Sequence, residues 1–368
     1  MKEAHGIIFA YSASPDLGEL CRDRTASSIP FGGRYRIIDF ALSSLMNAGI
    51  RDAGVIMQRD YQSLLDHIGS GKSWDMSRKS GGLRMLPPFG LPEYHRGNYT
   101  GTIEALNAVY SYIRDIKQEN IVLLLGSLVA NIDISKAMDA HIESGAEITA
   151  ICSDRELKSA HYKYISDPEG FVREAVYSGE GEGYTALECY IIKKDTLINL
   201  LDRCRAKNLY HFHKDAVADY LRDGGRMKIY VHREYAAFIR NIDDYFSASS
   251  DMLISADRRE LFTPERPVRT RSVEEVSTYY GENAYSGNSL VADNCKIEGT
   301  VENCIIFSGV RIAKGAKLRN CIVMRGSEIG EWAELNYVIA DKYTSFAPGT
   351  TLTGSPRLPV VVPKKASI

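Results

Sequence analysis

The chain has 368 residues, which is more than one average domain and suggests two. Its hydrophobic fraction of 44% and charged fraction of 25% are those of a globular protein with a substantial core. A formal net charge of −2 gives no basic excess to neutralise phosphates, which argues against nucleic-acid binding. No apolar run approaches the ~20 residues of a membrane span, and the first strand-like segment begins too early to leave room for a signal peptide. We therefore expect a cytoplasmic protein with neither a nucleic-acid nor a membrane partner.

Cysteine usage indicates a reduced protein without a zinc site. The seven cysteines are odd in number and widely spaced, and no two of them form a C-x-x-C pair. In a chain without a signal peptide, such residues are mostly small, buried, apolar side chains. We expect neither disulfides nor metal ligation from Cys21, Cys152, Cys189, Cys204, Cys295, Cys304 and Cys321.

The first two thirds of the chain alternate short apolar runs with amphipathic helical patterns. In Thr102–Lys117, apolar residues recur at three- and four-residue spacing, which gives the segment one apolar face. Alternating strands and helices predict a mostly parallel, doubly wound sheet that binds ligands at the carboxyl ends of its strands. The predicted strands are Gly6–Ala10, Ala53–Gln58, Asn120–Leu125 and Ala146–Ser153, and the predicted helices are Phe40–Asn47, Tyr61–Ile68, Thr102–Lys117 and Ile134–Ser144.

A charged segment separates this part from the rest of the chain. Residues 255–275 contain two prolines and many arginines, and they show no periodicity. This pattern predicts a linker over residues 255–278 between domains at 1–254 and 279–368. Its arginines could hold an anion, or they could simply be solvated.

Beyond the linker the sequence repeats itself. The segment Asn303–Ile312 recurs seventeen residues later as Asn320–Ile329, and a further copy begins at Asn336. Small or branched apolar residues at about six-residue steps, with glycine at the corners, are typical of a left-handed parallel β-helix. Some β-helices are acyltransferases, but no histidine lies beyond His232 to serve as the base of that reaction.

Two segments near the N-terminus point to a family. The segment Pro30–Phe40 reads Pro-Phe-Gly-Gly-Arg-Tyr-Arg-Ile-Ile-Asp-Phe, and the strand Gly6–Ala10 runs into a loop at the place where many α/β enzymes hold phosphates. Together with the β-helix, these features resemble bacterial ADP-glucose pyrophosphorylase, which joins glucose 1-phosphate to ATP and releases pyrophosphate. The resemblance covers essentially the whole chain. It implies a Rossmann-like, nucleotidyltransferase-like α/β domain followed by the β-helix.

The resemblance also shows which chemical groups the chain lacks. The family's glycine-rich phosphate loop corresponds to Ala10–Leu17, which has no glycine and carries Asp16 at the position of the phosphate-clamping arginine. Serine and phenylalanine replace the two aspartates that hold Mg²⁺. The remaining replacements remove a phosphate-binding lysine, the sugar-phosphate lysine and a small glycine that faces the sugar. These positions are Ala26 and Ala175 for the lysines, Ser127 and Phe238 for the aspartates, and Glu188 for the glycine.

Arg173 or Lys163 could replace the missing sugar-phosphate lysine in space. Other positions keep residues that the family uses, so weak ATP or sugar-phosphate binding without turnover is an open expectation. For each of them a purely structural role, such as a helix cap or a surface pair, is an equal alternative. We interpret His211 and His213 as surface residues rather than metal ligands. The candidate remnants of nucleotide and sugar-phosphate binding are Gln58, Gly101, Thr102, Lys214 and Asp215, and Arg34 is the candidate for effector binding.

This pattern resembles the GlgD-type subunits of the family, which lack the catalytic loop and pair with a catalytic subunit in a heterotetramer. The resemblance implies no catalytic residues and no metal ligands in this chain, with Mg²⁺ serving the catalytic partner. One alternative is a weakly active adenylyltransferase that binds magnesium through Asp133 or Asp243. Another is a sensor of sugar phosphates or nucleotides without an enzyme partner.

Overall fold

A nine-stranded sheet organises the N-terminal domain in the computed structural model, which describes residues 4–11, 16–88, 99, 101–177, 181–272 and 274–368. Its central strands are rich in Ile, Leu and Val, as strands buried on both faces are. In chain order, the strands of this domain are β1 (Ala4–Phe9), β2 (Pro30–Phe31), β3 (Tyr35–Arg36), β4 (Ala53–Ile56), β5 (Leu83–Leu86), β6 (Asn120–Leu125), β7 (Leu128–Ala130), β8 (Ile148–Ser153), β9 (Lys163–Ser166), β10 (Val172–Val176), β11 (Tyr184–Lys193), β12 (Met227–His232) and β13 (Ala236–Phe238).

The strand order is β10-β9-β11-β6-β1-β4-β5, and β8 lies between β11 and β12. Strand β1 pairs in parallel with β4 and β6, β4 with β5, and β8 with β12, whereas β11 runs antiparallel to β6 and β8. The prediction of a mostly parallel α/β sheet is therefore confirmed. Phe9 is the register partner of Leu125, so the carboxyl ends of β1 and β6 lie side by side.

Successive strand residues point to opposite sides, so the sheet has apolar side chains on both faces, and helices cover both of them. The predicted helix Thr102–Lys117 is instead two helices, since Val109 leaves the helical region at φ −111°, ψ 23°. Residues of the helices Ile38–Asn47, Gln62–Ile68 and Ile134–Ser144 pack on one face, and residues of the helices Thr102–Ala108, Tyr110–Arg114 and Lys194–Lys207 on the other. The helices are α1 (Ile38–Asn47), α2 (Gln62–Ile68), α3 (Thr102–Ala108), α4 (Tyr110–Arg114), α5 (Ile134–Ser144), α6 (Lys194–Lys207), α7 (Ala218–Arg222), α8 (Ile242–Asp251) and α9 (Ser255–Leu261), with 3₁₀ turns at Gly18–Cys21, Ala26–Ser28 and Lys72–Trp74 and a π-helix at Phe212–Val217.

The C-terminal domain is a left-handed parallel β-helix, as predicted. Its three sheets have five parallel strands each, and the register Ile322↔Ile339 shows the seventeen-residue step. The last copy starts at Tyr337 rather than Asn336, because Tyr337 takes the corner conformation with φ 53°. The strands are β14 (Tyr279–Tyr280), β15 (Tyr285–Gly287), β16 (Leu290–Val291), β17 (Lys296–Ile297), β18 (Thr300–Glu302), β19 (Ile305–Ile306), β20 (Arg311–Ile312), β21 (Lys317–Arg319), β22 (Ile322–Val323), β23 (Glu328–Ile329), β24 (Glu334–Asn336), β25 (Val338–Ala340), β26 (Ser345–Phe346), β27 (Thr351–Thr353) and β28 (Val360–Val362).

One hydrophobic cluster joins the two domains. Phe31 and Phe40 of the N-terminal domain share it with Ile305 and Ile322 of the β-helix. A buried ion pair between Arg24 and Asp341 also crosses this boundary. The two domains are therefore held together by a common core rather than by a flexible connection.

The segment predicted as a linker is more structured than its composition suggested. It begins with the helix α9, and Leu261 at the end of that helix is buried in the shared core. Farther on, Arg266 forms ion pairs with Asp133 at 3.3 Å and Glu234 at 3.2 Å, instead of being simply solvated. Trp74 donates a hydrogen bond to the carbonyl of Arg269 at 3.1 Å. The segment is a strap bound to the N-terminal domain.

Among the described residues, no helix combines the length and the apolar character that a membrane crossing requires. All seven cysteines are free thiols, and the expectation that most of them are buried is confirmed for six.

Candidate ligand pocket

A cavity of about 250 Å³ opens at the carboxyl ends of β1 and β6. This is the edge of a parallel sheet where α/β proteins bind ligands. Aromatic, aliphatic and polar side chains from several separate segments of the domain line it. The residues that line it are Phe9, Tyr11, Gly101, Thr102, Leu123, Leu125, Ser127, His161, Tyr162, Glu188, Tyr190, His211, Phe212, His213 and Arg240.

An ion pair between Arg240 and Glu188 dominates the electrostatics of this pocket. Both side chains are about 15% exposed, and the guanidinium of Arg240 also donates to Nδ1 of His161. The same guanidinium lies over the ring of Phe238, with Cζ 4.3 Å from the ring centroid. Within the described part of the chain, Arg240 is the one Lys or Arg side chain that lines the pocket, and its charge is already paired.

Glu188 reaches into the pocket from an irregular point of β11. The register of β11 against β8 shifts between Ala186 and Cys189, and Glu188 has a φ of 56° in the left-handed region. This conformation suits glycine, which is the residue that the family resemblance implies at this position. The carboxylate thus stands where a glycine would leave space for a sugar.

The charge of Glu188 is fixed by its neighbours. Burial by itself would raise the pKa of this carboxyl, but the opposite charges of His213, when it is protonated, and of Arg240 hold the pKa below its ordinary value. His213 lies 3.6 Å from the carboxylate, yet burial lowers the pKa of His213 to about 4 and leaves it neutral at pH 7. Because His213 is neutral, Arg240 is the group that keeps Glu188 ionised.

Buried tyrosines hold the neutral imidazole of His213 in place. The hydroxyl of Tyr190 is 2.5 Å from Nδ1 of His213 and 2.8 Å from the hydroxyl of Tyr164. The ring of Tyr162 stacks on His213 with centroids 4.6 Å apart. His213 is therefore buried, which corrects its interpretation as a surface residue, whereas His211 is exposed at the rim.

The two positions of the expected metal aspartates do come together. Strand β13 pairs with β7 so that Phe238 is the register partner of Leu128, and the amide of Ile239 donates to the carbonyl of Ser127 at 3.1 Å. Ser127 lines the pocket, while Phe238 is 2% exposed and packs into the core. A hydroxyl and a phenyl ring do not fit a Mg²⁺ ion, which requires several hard oxygen ligands. Among the described residues, no group of three or more His, Cys, Asp or Glu side chains is arranged to hold a metal.

The two positions where the family resemblance implies phosphate-binding basic side chains also carry other residues. Ser12–Pro15 of the loop lie outside the described residues, but Asp16 is exposed and its amide donates to the carbonyl of Arg240 at 2.9 Å. Ala26 is buried in the core that joins the domains. Neither residue supplies positive charge to the pocket.

Of the residues expected to retain binding, Gly101 and Thr102 line the pocket. Gly101 lies so close to the backbone of Tyr210 that a Cβ would be 2.2 Å from its carbonyl oxygen. The side chain of Gln58 is buried beside the pocket lining and donates to the carbonyl of Tyr99 at 3.4 Å. The geometry brings the first two residues to the site and leaves Gln58 out of its lining.

The other expected binding residues have structural partners. The carboxylate of Asp215 accepts hydrogen bonds from the amides of Tyr210 at 3.2 Å and His211 at 3.0 Å, and Lys214 is exposed outside the lining. Lys163, a candidate substitute for the sugar-phosphate lysine, donates to Glu156 and to a backbone carbonyl instead. Arg173, the other candidate, is exposed, and Ala175 packs against a core cluster.

Arg34 lies far from this pocket, at the boundary between the domains. It is exposed and lines a cleft of about 420 Å³ that also contains Arg36, Arg271, Arg325 and Lys342. Burial, followed by the charges of Arg36 and Arg24, lowers the pKa of Lys342 to about 7. The lining of the cleft has more basic than acidic side chains, since Asp66, Glu275 and Asp293 are its carboxylates.

Comparisons with known proteins agree with this architecture. Residues 7–170 match the nucleotidyl transferase family model, and residues 274–356 match the model of the GlmU-like, C-terminal hexapeptide. The chain is 31% identical to the glycogen biosynthesis protein GlgD of Bacillus subtilis, over 98% of this chain and 95% of that protein. It is 32% identical to GlgD of Geobacillus stearothermophilus over 84% and 81% of the two chains. A glucose-1-phosphate adenylyltransferase of Clostridium botulinum is 29% identical over 86% and 83%.

The chain belongs to the family of GlgD proteins and glucose-1-phosphate adenylyltransferases. The GlgD relatives are named glycogen biosynthesis proteins, so glycogen biosynthesis is a role of this family. The main pocket residue that sequence reasoning missed is Arg240, which stands two residues after Phe238. A signal was available, because a carboxylate such as Glu188 in a buried position requires a compensating cation.

The close packing of Gly101 against the backbone of Tyr210 leads to a prediction about the stability of this chain. We expect Gly101→Ala to destabilise the fold by about 2–3 kcal/mol, since the added Cβ would lie 2.2 Å from a backbone oxygen. The control is Gly145→Ala, where the Cβ meets nothing within 4 Å and only the φ of +64° opposes it, at about 1 kcal/mol. Denaturant unfolding measures both, and equal losses would contradict the role of close packing at Gly101.

Proposed function

We propose that this chain is a catalytically deficient regulatory subunit in glycogen biosynthesis. It assembles with a catalytic glucose-1-phosphate adenylyltransferase, as part of a heterotetramer, and raises the rate at which that partner converts ATP and glucose 1-phosphate to ADP-glucose and pyrophosphate. The observation that carries the proposal is the meeting of Ser127 and Phe238 at the two metal positions. Without an ion there, nothing neutralises the charge that develops on departing pyrophosphate. Mg²⁺ accordingly acts in the catalytic partner.

A weakly active enzyme is the main alternative, and it requires other carboxylates to bind magnesium. Asp133 caps α5 by accepting from the amide of Lys136 at 3.0 Å, and it also pairs with Arg266. Asp243 pairs with Lys158. Since neither carboxylate lines the pocket, this alternative lacks a metal site. A sensor of sugar phosphates or nucleotides has little support, because Gln58 and Lys214 both lie outside the pocket lining.

The β-helix supplies a surface for assembly. Tyr279, Tyr280 and Tyr285 in its first coil are each about half exposed, as is Tyr343 at a corner, and Trp332 is 67% exposed. Terminal coils of a solenoid leave strand edges and apolar surface that a neighbouring chain can cover, and aromatic residues are enriched in protein interfaces. The core shared between the domains connects this surface mechanically to the pocket domain.

Regulation of the assembly would act at the cleft that contains Arg34. Its guanidinium, together with those of Arg36 and Arg271, offers charge-assisted hydrogen bonds to an anionic effector, whereas Arg325 is paired with Glu275 at 2.7 Å. Because residues of both domains line the cleft, an anion bound there would contact both domains at once, which is one way to couple the effector to a partner.

Reconstitution tests the proposed function. The chain alone should release no pyrophosphate above background from ATP, glucose 1-phosphate and Mg²⁺. Mixed with a catalytic subunit from the same organism, it should co-elute on size exclusion and raise the rate per catalytic subunit by at least about tenfold, equivalent to ~1.4 kcal/mol. Robust turnover by the isolated chain would overturn the deficiency, and an unchanged partner rate without co-elution would overturn the regulatory role.

A further inference from the structure

Two exposed aromatic side chains stand at opposite corners of one side of the β-helix. Trp332 is 67% exposed and Tyr343 is 52% exposed. Trp332 lies at the corner that follows β23, and Tyr343 lies at the corner that precedes β26, in the next coil of the same sheet. The outward side of this sheet (β14, β17, β20, β23 and β26), together with these two corners, is here called the aromatic face.

Both aromatic residues have a backbone conformation that suits glycine better. Trp332 and Tyr343 each have a φ of 59°, in the left-handed region, which is costly for a bulky side chain. The same corners of the preceding coil hold Gly315 and Gly326, with φ values of 72° and 70°. Because glycine would fit both corners without strain, the two rings point to a role other than folding.

Glycines of the preceding coil support the two rings. A Cβ built on Gly315 would be 2.3 Å from Cε3 and 2.6 Å from Cζ3 of Trp332, and one built on Gly326 would be 2.6 Å from both Cδ1 and Cε1 of Tyr343. Each ring therefore rests against main chain that carries no side chain, and the rest of its surface meets solvent. A supported, exposed aromatic ring can stack on the apolar C–H face of a sugar.

The charged side chains between the two corners are free to bind a ligand. Arg311 and Glu328 are register partners on neighbouring strands of the aromatic face, and both are exposed. Within the described part of the chain, neither side chain takes part in a hydrogen bond or an ion pair. On the adjoining sheet, by contrast, the register partners Lys317 and Glu334 pair at 2.8 Å. Arg311 and Glu328 thus keep donors and acceptors for ligand hydroxyl groups.

The width of the aromatic face selects the class of ligand. The chain crosses the face between Gly326 and Trp332, a span of up to ~20 Å at about 3.3 Å per extended residue. One sugar ring is too short to meet both aromatic corners, whereas a linear oligosaccharide can cross from one to the other. The charged side chains between the rings also interrupt the apolar centre that a protein interface requires.

We propose that the aromatic face binds a linear chain of α-linked glucose units, with Trp332 and Tyr343 as its stacking platforms. A glucose polymer is the class chosen because glycogen biosynthesis is a role of this family. Only the tyrosines of the first coil then remain for the assembly surface. The inference goes beyond the regulatory role proposed above, since glucan binding needs neither the catalytic partner nor its substrates, and either proposal can fail without the other.

Electrophoresis of the full chain through gels that contain glycogen, and calorimetric titration with maltoheptaose, test the binding. We expect glycogen to retard the chain and maltoheptaose to bind saturably. Maltose should bind at least about tenfold more weakly, because it is too short to reach both aromatic corners.

Variants at the corners separate ligand binding from folding. Trp332→Gly and Tyr343→Gly should each weaken maltoheptaose binding at least about fivefold without lowering the melting temperature, because glycine relieves the positive φ. The control is Tyr285→Ser, which removes a half-exposed ring of the first coil on the adjoining sheet and should leave glucan binding unchanged.

Three results would overturn the proposal: no retardation by glycogen, equal affinity for maltose and maltoheptaose, or unchanged glucan affinity in Trp332→Gly. If Trp332→Gly keeps its glucan affinity but no longer co-elutes with a catalytic subunit, the ring belongs to a protein interface instead.

Discussion

Replacing Asp341 with alanine should lower the free energy of unfolding by about 3–5 kcal/mol, the typical effect of breaking a buried ion pair by removing one partner. Asp341 is 1% exposed and pairs with Arg24, which is 6% exposed and also donates to the carbonyl of Leu20 at 2.6 Å. Without the carboxylate, a guanidinium remains buried and unpaired where the β-helix meets the N-terminal domain. Chemical denaturation followed by far-UV circular dichroism measures the loss.

The size of this loss should depend on pH through Lys342. The lowered pKa of Lys342, about 7, means that the folded chain carries its charge mainly below that pH, and Asp341 is the acid that favours this charge. The attraction between Asp341 and Lys342 is therefore present below pH 7 and disappears as pH rises through the folded pKa. We expect the deficit of Asp341→Ala to be larger at pH 6 than at pH 8.5.

Two control variants test whether the effect arises from the buried pair. Glu334→Ala removes an exposed partner of Lys317 within the β-helix and should lose less than about 1 kcal/mol. The double change Arg24→Met with Asp341→Leu leaves no unpaired charge and should regain most of the lost stability. A loss for Asp341→Ala as small as that for Glu334→Ala would show that Arg24 finds other solvation and that the pair does not hold the domains together.

The architecture was largely predictable because each part rests on a repeated pattern. Buried parallel strands such as Asn120–Leu125 are continuous apolar runs, and the seventeen-residue recurrence of Asn303–Ile312 fixes the register of the β-helix. Local backbone detail was not predictable in this way. The break at Val109 and the helix Ser255–Leu261 depend on tertiary packing, which overrides weak local propensities.

The sequence predicted which of the family's ligand-binding groups the pocket lacks, but not the contacts that the replacing side chains make. Motif comparison identified Ser127, Phe238 and Glu188, since each replaces a residue type whose chemistry is specific. It could not show that Lys214 lies outside the lining, because adjacency in sequence to a pocket residue such as His213 does not fix the direction of a side chain. The role of Arg240 required knowing that β11 and the segment after β13 meet across the cavity.

Phe238→Asp, which restores one expected metal ligand, should destabilise the chain without creating activity. Phe238 is 2% exposed in the core, where its register partner is Leu128, and losing a buried phenyl ring typically costs about 3–5 kcal/mol. The new carboxylate adds a further penalty for burying charge, since Arg240 is already paired with Glu188. Thermal unfolding should show a large fall in melting temperature, and pyrophosphate release with Mg²⁺ should stay at background.

The matched control is Phe238→Leu, which keeps an apolar side chain and should lose much less stability. Activity should remain absent in both variants. Ser127 still supplies no carboxylate for Mg²⁺, and Asp16 and Ala26 still supply no cation for the phosphates. Turnover by Phe238→Asp alone would mean that one carboxylate suffices to recruit magnesium, so the pocket would have kept its catalytic geometry. Inactivity at reduced stability would instead mean that the phenyl ring has become part of the core, and that recovering catalysis requires rebuilding the pocket rather than reverting one residue.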